Sequence, residues 1–151
     1  LAGQGGGRVG QPWRPLRDPA ADAAGFAALQ GLAPIPVVAD ESCWDLRDVV
    51  RLAPHVDGIN IKLVKCGGLS EGLLMAHTAR RLGLGVMLGC YSDGGLLNSA
   101  AAQLLPLVQW PDLDSHLNLI DDPCAGPERA GDLLRPAARP GLGVQWLQEV
   151  P

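Results

Sequence analysis

The sequence lacks the features that direct a protein to a membrane, to nucleic acid or to an anionic surface. Its formal net charge is −4, with acidic and basic residues intermixed, so no strongly basic binding face is predicted and nucleic acid is not an expected partner. No apolar run is long enough to cross a bilayer. Residues 1–7 are rich in glycine and have neither the basic nor the apolar part of a signal peptide; we expect them to be disordered.

Paired cysteines are also missing. The four cysteines, Cys43, Cys66, Cys90 and Cys124, include no C-x-x-C pair, which argues against a zinc site and favours reduced thiols in a cytoplasmic protein. Apolar residues make up 47% of the 151 residues, enough for the core of one modest domain over residues 8–151. Leucine is not a natural first residue, so we expect the chain to be a piece of a longer protein.

The segment at residues 59–68 is the most informative part of the chain. It begins as a short β-branched run, which is typical of a buried strand. Lys62 then appears where the apolar run should continue, although lysines are rarely buried, because removing an ammonium group from water is costly. Gly67 and Gly68 allow a sharp turn and the close approach of a ligand. The segment therefore predicts a strand that delivers a cation to a pocket.

Strands and helices alternate along the chain. Apolar runs predict strands at residues 36–39, 59–63, 86–88 and 107–110, with the stub of another at 8–12. Helices are predicted at residues 20–29, 46–52, 71–82 and 96–105, with N-caps at Asp18-Pro19, Asp45 and Ser70. This order is typical of a parallel sheet that is buried on both faces, and the short regular spacing favours an α/β barrel over a doubly wound sheet. Residues 121–151 show no clear period.

Polar residues follow the predicted strands at the points where the strands end, namely Asp40, Glu41, Lys62, Ser92, Asp93, Asp112 and Asp114. In a β/α barrel these positions converge on the face that carries the active site. A divalent cation held by carboxylates can stabilise an enolate, and a lysine beside it can exchange a proton on the adjacent carbon. The charge of the cation would also lower the lysine pKa, which would help the amine to act as a base.

Four segments carry a resemblance to a known family: residues 39–42 (ADES), 60–68 (NIKLVKCGG), 112–114 (DLD) and 140–144 (PGLGV). They resemble the muconate-lactonizing subgroup of the enolase superfamily, and within it the dipeptide epimerases of the L-Ala-D/L-Glu type. The resemblance implies an α/β fold, a (β/α)₇β TIM-like barrel beneath a capping domain. This sequence corresponds to the C-terminal half of that barrel, without the capping domain and the first barrel strands.

The resemblance also implies roles for individual residues. Asp40 matches a metal ligand for Mg²⁺, and Lys62 matches the lysine that moves the substrate α-proton. Asp112 and Asp114 match the pair that receives the α-ammonium group of a dipeptide. Other residues are expected near the substrate (Cys90, Ser92, Asp93) or just behind the reacting groups (Glu41, Lys65). The full-length enzyme is expected to be a homo-oligomer that acts on a small molecule.

The sequence departs from the family pattern at several points: the first metal-binding aspartate is not in the chain, and Asp93 stands where a glutamate is common. Gly10 stands where a glutamate metal ligand is expected, and the lysine that should oppose Lys62 is not in the chain. Three alternatives therefore stay open: another superfamily activity (cycloisomerase, N-acylamino acid racemase or o-succinylbenzoate synthase), a non-catalytic truncated remnant, or a half-barrel that assembles with a partner. For the residues themselves, Lys62 could be a surface lysine, and Asp112 and Asp114 a solvated turn.

Overall fold

A parallel five-stranded sheet forms the centre of the protein, as a computed structural model shows for residues 16–18, 22–29, 32, 34–131 and 133–147. Its strands follow one another in chain order: β1 (Leu16–Arg17), β2 (Val37–Ala39), β3 (Gly58–Ile61), β4 (Gly85–Leu88) and β5 (Trp110–Pro111). Residues 1–7, which we expected to be disordered, lie outside the described residues. The α/β class with a parallel sheet is confirmed.

Helices connect the strands in a β/α alternation. They are α1 (Ala23–Leu29), α2 (Leu46–Leu52), α3 (Leu63–Cys66), α4 (Leu69–Arg81) and α5 (Gly95–Ala102), with 3-10 turns at Leu105–Leu107 and Ser115–Asn118. The predicted cap of α2 is confirmed, because the Asp45 side chain accepts hydrogen bonds from the backbone N–H groups of Arg47 and Asp48. No helix in these parts of the chain is long and apolar enough to cross a membrane.

The two faces of the sheet carry different side chains, because successive residues of a strand point to opposite sides. Ile59, Ile61, Val86 and Leu88 are fully or almost fully buried and belong to the same apolar cluster as helix residues such as Met75. The alternate positions, among them Asn60 of β3, point to the other side. This second face carries the polar groups of the site.

One aromatic ring covers the start of two strands on that second face. The ring of Trp110 on β5 lies against Gly58 and Gly85, the first residues of β3 and β4. A Cβ atom at Gly85 would collide with the ring, and one at Gly58 would lie 3.0 Å from it. Glycine at these two positions therefore makes room for the tryptophan.

Two predicted strands are shorter than expected. The run predicted as a strand to Leu63 leaves the sheet after Ile61, and Leu63–Cys66 forms the single turn of α3. The predicted strand at residues 107–110 begins only at Trp110, since Leu105–Leu107 is a 3-10 turn with a proline near its start. In both places β propensity was outweighed by a local turn that proline or a Gly-Gly pair favours.

Two predicted helix caps are wrong. Helix α1 begins at Ala23, and the Asp22 carboxylate accepts from the backbone N–H of Gly25, so Asp22 takes the place that we gave to Asp18. Helix α4 starts from Gly68 rather than Ser70. Gly68 has φ +128°, a conformation that glycine adopts without strain.

The region that showed no period contains two small antiparallel sheets. In one, β6 (Cys124–Ala125) pairs with β9 (Gln145–Trp146); in the other, β7 (Glu128–Ala130) pairs with β8 (Leu133–Arg135). The Asp122 carboxylate accepts from the backbone N–H groups of Gly95 and Cys124. This carboxylate joins the C-terminal region to the start of α5.

Candidate active site

Lys62 and Lys65 reach the same place because a strand is followed directly by one helical turn. Lys62 is extended (φ −124°, ψ 122°) at the end of β3, and the backbone N–H of Lys65 donates to its carbonyl over 2.9 Å. Residues three apart on a helical turn lie on one side of it. Gly67, with φ +85°, then ends the turn. The sequence thus sends two ammonium groups to the end of β2, where Asp40 lies.

Asp40 is the centre of a buried cluster of charges. Its Oδ1 lies 2.7 Å from Lys62 Nζ and 3.1 Å from Lys65 Nζ. Its Oδ2 accepts from Asn60 Nδ2 over 2.8 Å. The side chains of Asp40 and Lys62 are each 4% exposed, and that of Lys65 is 1% exposed. The structure therefore confirms that Asp40 and Lys62, which follow neighbouring strands, lie in contact.

Asn60 is a site residue to which the sequence analysis gave no role. It is fully buried, and its Oδ1 has no hydrogen-bond partner among the described residues. Gly89 leaves room for it, because a Cβ there would lie 2.7 Å from both terminal atoms of the amide. The alternation in β3 places Asn60 on the same face as Lys62, and this signal was available in the sequence.

Lys62 has two further neighbours at the mouth of the site. Its Nζ lies 2.8 Å from Oε1 of Glu41, whose side chain is 53% exposed. It also lies 4.1 Å from the centre of the Tyr91 ring, a cation–π contact. Glu41 therefore contacts Lys62 directly, whereas we expected it to lie just behind the reacting groups. Tyr91, the one tyrosine of the chain, was not predicted.

These contacts fix the charge states of the cluster. Burial tends to raise the pKa of Asp40, but the hydrogen bond from Lys62, the charge of Lys65 and the hydrogen bonds from Asn60 and Lys65 lower it overall. Burial tends to lower the pKa of Lys62, but Asp40 and Glu41 raise it overall. The group is therefore an ammonium ion at neutral pH. We expected a bound cation to lower this pKa, whereas Asp40 and Glu41 act in the opposite direction.

The described residues do not by themselves complete the expected Mg²⁺ site. Mg²⁺ requires near-octahedral oxygen ligands, and among the residues that the structure describes no three His, Cys, Asp or Glu side chains lie close enough to hold a metal ion. Both oxygens of Asp40 already accept from protein donors. Oδ1 has two ammonium partners, whereas Oδ2 has one amide donor and so keeps a lone pair that could bind a metal ion.

The strand beside β2 differs from the one expected. We expected residues 8–12 to form it and Gly10 to mark its end, but Gly10 lies outside the described residues and Leu16–Arg17 pairs with Val37 and Val38. The residue after this strand is Asp18, with φ +43°. Its carboxylate accepts from the backbone N–H groups of Asp40 and Ser42 over 3.0 and 3.2 Å. Asp18 therefore fixes the turn that carries Asp40.

The two aspartates after β5 have different surroundings. Asp112 Oδ2 lies 2.7 Å from Nη1 of Arg17, and the Asp112 carbonyl accepts from the Cys90 thiol over 3.1 Å. Asp114 is exposed and has left the extended conformation, since it starts a 3-10 turn. Cys90 thus lies beside Asp112, but the structure does not present Asp112 and Asp114 as an equivalent pair. Arg17 was missed, because nothing in the sequence connects it with Asp112.

The turn after β4 holds the remaining predicted residues. Ser92 is exposed. The Asp93 carboxylate accepts from the backbone N–H of Tyr91 over 3.3 Å, and its carbonyl accepts from Ser115 Oγ over 2.8 Å. In this structure Asp93 therefore holds the turn in which Tyr91 lies.

Comparison with known proteins shows which family the chain matches. The chain matches the enolase C-terminal domain-like family over residues 14–150. It is 39% identical over 136 residues to a hydrophobic dipeptide epimerase of Flavobacteria bacterium (strain MS024-2A), covering 90% of this chain and 38% of that protein. It is 45% identical over 113 residues to an L-Ala-D/L-amino acid epimerase of Flavobacterium johnsoniae, covering 75% of this chain and 34% of that protein.

A solved structure agrees with these relatives. The crystal structure of a mandelate racemase/muconate lactonizing protein from Herpetosiphon aurantiacus superposes with a TM-score of 0.80 at 34% identity, covering 87% of this chain and 40% of that one. The chain therefore spans about two fifths or less of each of these three proteins.

Proposed function

Because the chain belongs to the enolase C-terminal domain-like family, we propose that it is part of an epimerase that acts on dipeptides. The proposed reaction is a 1,1-proton transfer. A base removes the proton from the substrate α-carbon, an enolate forms, and a second group returns a proton to the opposite face. Relatives named as dipeptide epimerases, at 39% and 45% identity, support this assignment.

Lys62 is the residue that we propose for one face of the substrate. The observation that carries the proposal is its buried ammonium group at the end of β3, in contact with Asp40 and Glu41 and with the face of Tyr91. In this state Lys62 can donate a proton to the enolate; after donation, the neutral amine can remove one. The group for the opposite face, and the ligands that would complete an Mg²⁺ site with Asp40, are expected from the rest of the longer protein, since no three His, Cys, Asp or Glu side chains of the described residues lie close enough to hold a metal ion.

Isotope exchange tests this role. In the longer protein that we propose, Lys62→Ala should abolish incorporation of deuterium from D₂O at the α-carbon on one face of a dipeptide. Val64→Ala is a matched control in the same turn, because the Val64 side chain is apolar and exposed. Undiminished exchange on both faces in Lys62→Ala would remove Lys62 from the mechanism.

A racemase of N-acylated amino acids is the second candidate. The ion pair between Arg17 and Asp112 favours it, because a carboxylate that already has a cationic partner gains less from a substrate ammonium group. A panel of free-amine dipeptides and their N-acetyl counterparts distinguishes the two functions. A cycloisomerase or a non-catalytic remnant would exchange the α-proton of neither class.

A further inference from the structure

Lys65 carries a buried positive charge whose three hydrogen-bond acceptors all belong to two residues of the site. Its Nζ donates to the carbonyl of Asp40, to Oδ1 of Asp40 over 3.1 Å and to the carbonyl of Asn60 over 3.3 Å. A lysine ammonium group has three hydrogens to donate, so each has an acceptor. Such a group is fixed in position, because any movement would leave a buried charge unpaired.

Lys62 contrasts with Lys65 although both ammonium groups contact the same carboxylate oxygen. Lys62 divides its contacts between Asp40, the half-exposed Glu41 and the face of Tyr91. Two of these three partners are on exposed side chains, so Lys62 can leave Asp40 and keep other partners. Lys65 has no such alternative among the contacts described for it.

We propose that Lys65 is the positioning residue of the site: it holds the Asp40 carboxylate in one orientation, so that Lys62 is free to move its proton. Lys65 donates hydrogen bonds to Asp40 at two points, the backbone carbonyl and the carboxylate. It also joins the ends of β2 and β3 through Asn60. Without Lys65, Lys62 becomes the sole ammonium partner of Asp40 and is retained there. The functional part of this inference rests on the proposed epimerase; the geometric part does not.

The chain offers a direct test, because Lys62 and Lys65 are its only two lysines. Selective ¹⁵N-lysine labelling of the 151-residue chain therefore gives two side-chain Nζ signals, which Lys62→Met assigns by removing one of them. In the unmodified chain, the Nζ protons of Lys65 should exchange with water more slowly than those of Lys62. Equal exchange of the two groups would overturn the proposal whichever signal belongs to which lysine, and this comparison is made on the unmodified chain.

The variants should respond asymmetrically. Lys65→Met should shift the Nζ signal of Lys62, because the orientation of Asp40 changes. Lys62→Met should leave the Lys65 protons protected, because all three of their acceptors remain. A purely structural role would instead lower the thermal stability of Lys65→Met without moving the Lys62 signal, and that result, in a variant with a folded backbone spectrum, contradicts the proposal.

Kinetics test the functional part separately. In the longer protein, Lys65→Met should lower kcat for α-proton exchange by about 10–100-fold with little change in KM, because substrate contacts are unchanged while the reacting groups are misplaced. An effect on KM alone contradicts a positioning role. If no dipeptide is turned over by the unmodified protein, the proposed function fails, while the two lysine signals still decide how Lys65 and Asp40 are related.

Discussion

The guanidinium Nη1 of Arg17 lies 2.7 Å from Oδ2 of Asp112, although the two residues are 95 positions apart. Arg17 ends β1 and Asp112 directly follows β5, and these are the two outermost strands of the sheet. In a flat sheet with strands about 4.8 Å apart, the outer strands of five would lie about 19 Å apart. The contact therefore indicates that the sheet curls, which brings the carboxyl ends of its outer strands towards each other.

Removing Arg17 should make Asp112 more available to a ligand. Both side chains are partly exposed, at 48% and 34%, so the ion pair contributes no more than about 1 kcal/mol. If Asp112 receives a substrate ammonium group, Arg17→Met should tighten binding of free-amine dipeptides by up to about fivefold, as measured by calorimetric titration of the longer protein. Arg17→Lys, which keeps the charge, should behave like the unmodified protein.

The N-acetylated form of the same dipeptide provides the ligand control for this prediction. It carries no ammonium group, so its affinity should not respond to Arg17→Met. Equal changes for both ligands would mean that Arg17 acts through the structure of the site and not through the charge of Asp112.

The cluster around Asp40 should make the protein sensitive to acid. Folding lowers the pKa of Asp40. As the pH falls, the Asp40 carboxylate therefore binds a proton in the unfolded chain, near pH 3.9, before it does so in the folded chain. The stabilisation is therefore present above that pH and is lost as the pH falls through the lower pKa of the folded state. At neutral pH, Asp40→Asn should cost about 3–5 kcal/mol in the free energy of unfolding, because two buried ammonium groups lose their counter-charge.

Denaturant titration over a series of pH values measures this difference. The difference in the free energy of unfolding between the unmodified chain and Asp40→Asn should become smaller as the pH falls below 4. A gap of less than about 1 kcal/mol at neutral pH, or one that does not depend on pH, would show that Asp40 is not the anchor of this cluster.

The four thiols should differ in reactivity. All four are free, but Cys43 and Cys124 are buried, while Cys66 and Cys90 are partly exposed. Burial raises the pKa of Cys43 to about 12 and also raises that of Cys124, and alkylation proceeds through the thiolate. At pH 8, iodoacetamide should therefore modify Cys66 and Cys90 first, as peptide mass spectrometry can follow.

Unfolding provides the control for the thiols. In denaturant, all four cysteines should react at similar rates, since burial no longer distinguishes them. Modification of Cys43 in the native protein as fast as that of Cys66 would contradict the placement of Cys43 in the core.

The contact between Gly85 and the Trp110 ring should limit what position 85 accepts. A methyl group there would collide with the ring, so Gly85→Ala should cost about 1–3 kcal/mol in the free energy of unfolding. Trp110→Leu combined with Gly85→Ala should recover part of this loss relative to the sum of the two single changes, which a double-mutant cycle measures. Additive losses would show that the two residues do not interact.

The sequence by itself determined the features that depend on neighbours in the chain. The apolar run before Lys62 predicts a buried strand with a cation at its end, and Asp45 caps α2 through backbone groups two and three residues away. The alternation of strands and helices along the chain likewise indicated the parallel sheet. These features are local, since strand alternation and capping act over a few residues.

The tertiary structure decided which charges meet. Arg17 reaches Asp112, Lys65 reaches Asp40 and Asp18 fixes the turn around Ser42, across separations of 95, 25 and 24 residues. No local pattern specifies such contacts, because they depend on how far the sheet curls and on which strand lies beside β2. The predicted residue Lys62 is thus at its expected place, but the raised pKa that it has there depends on Asp40 and Glu41, which the fold brings to it from the neighbouring strand.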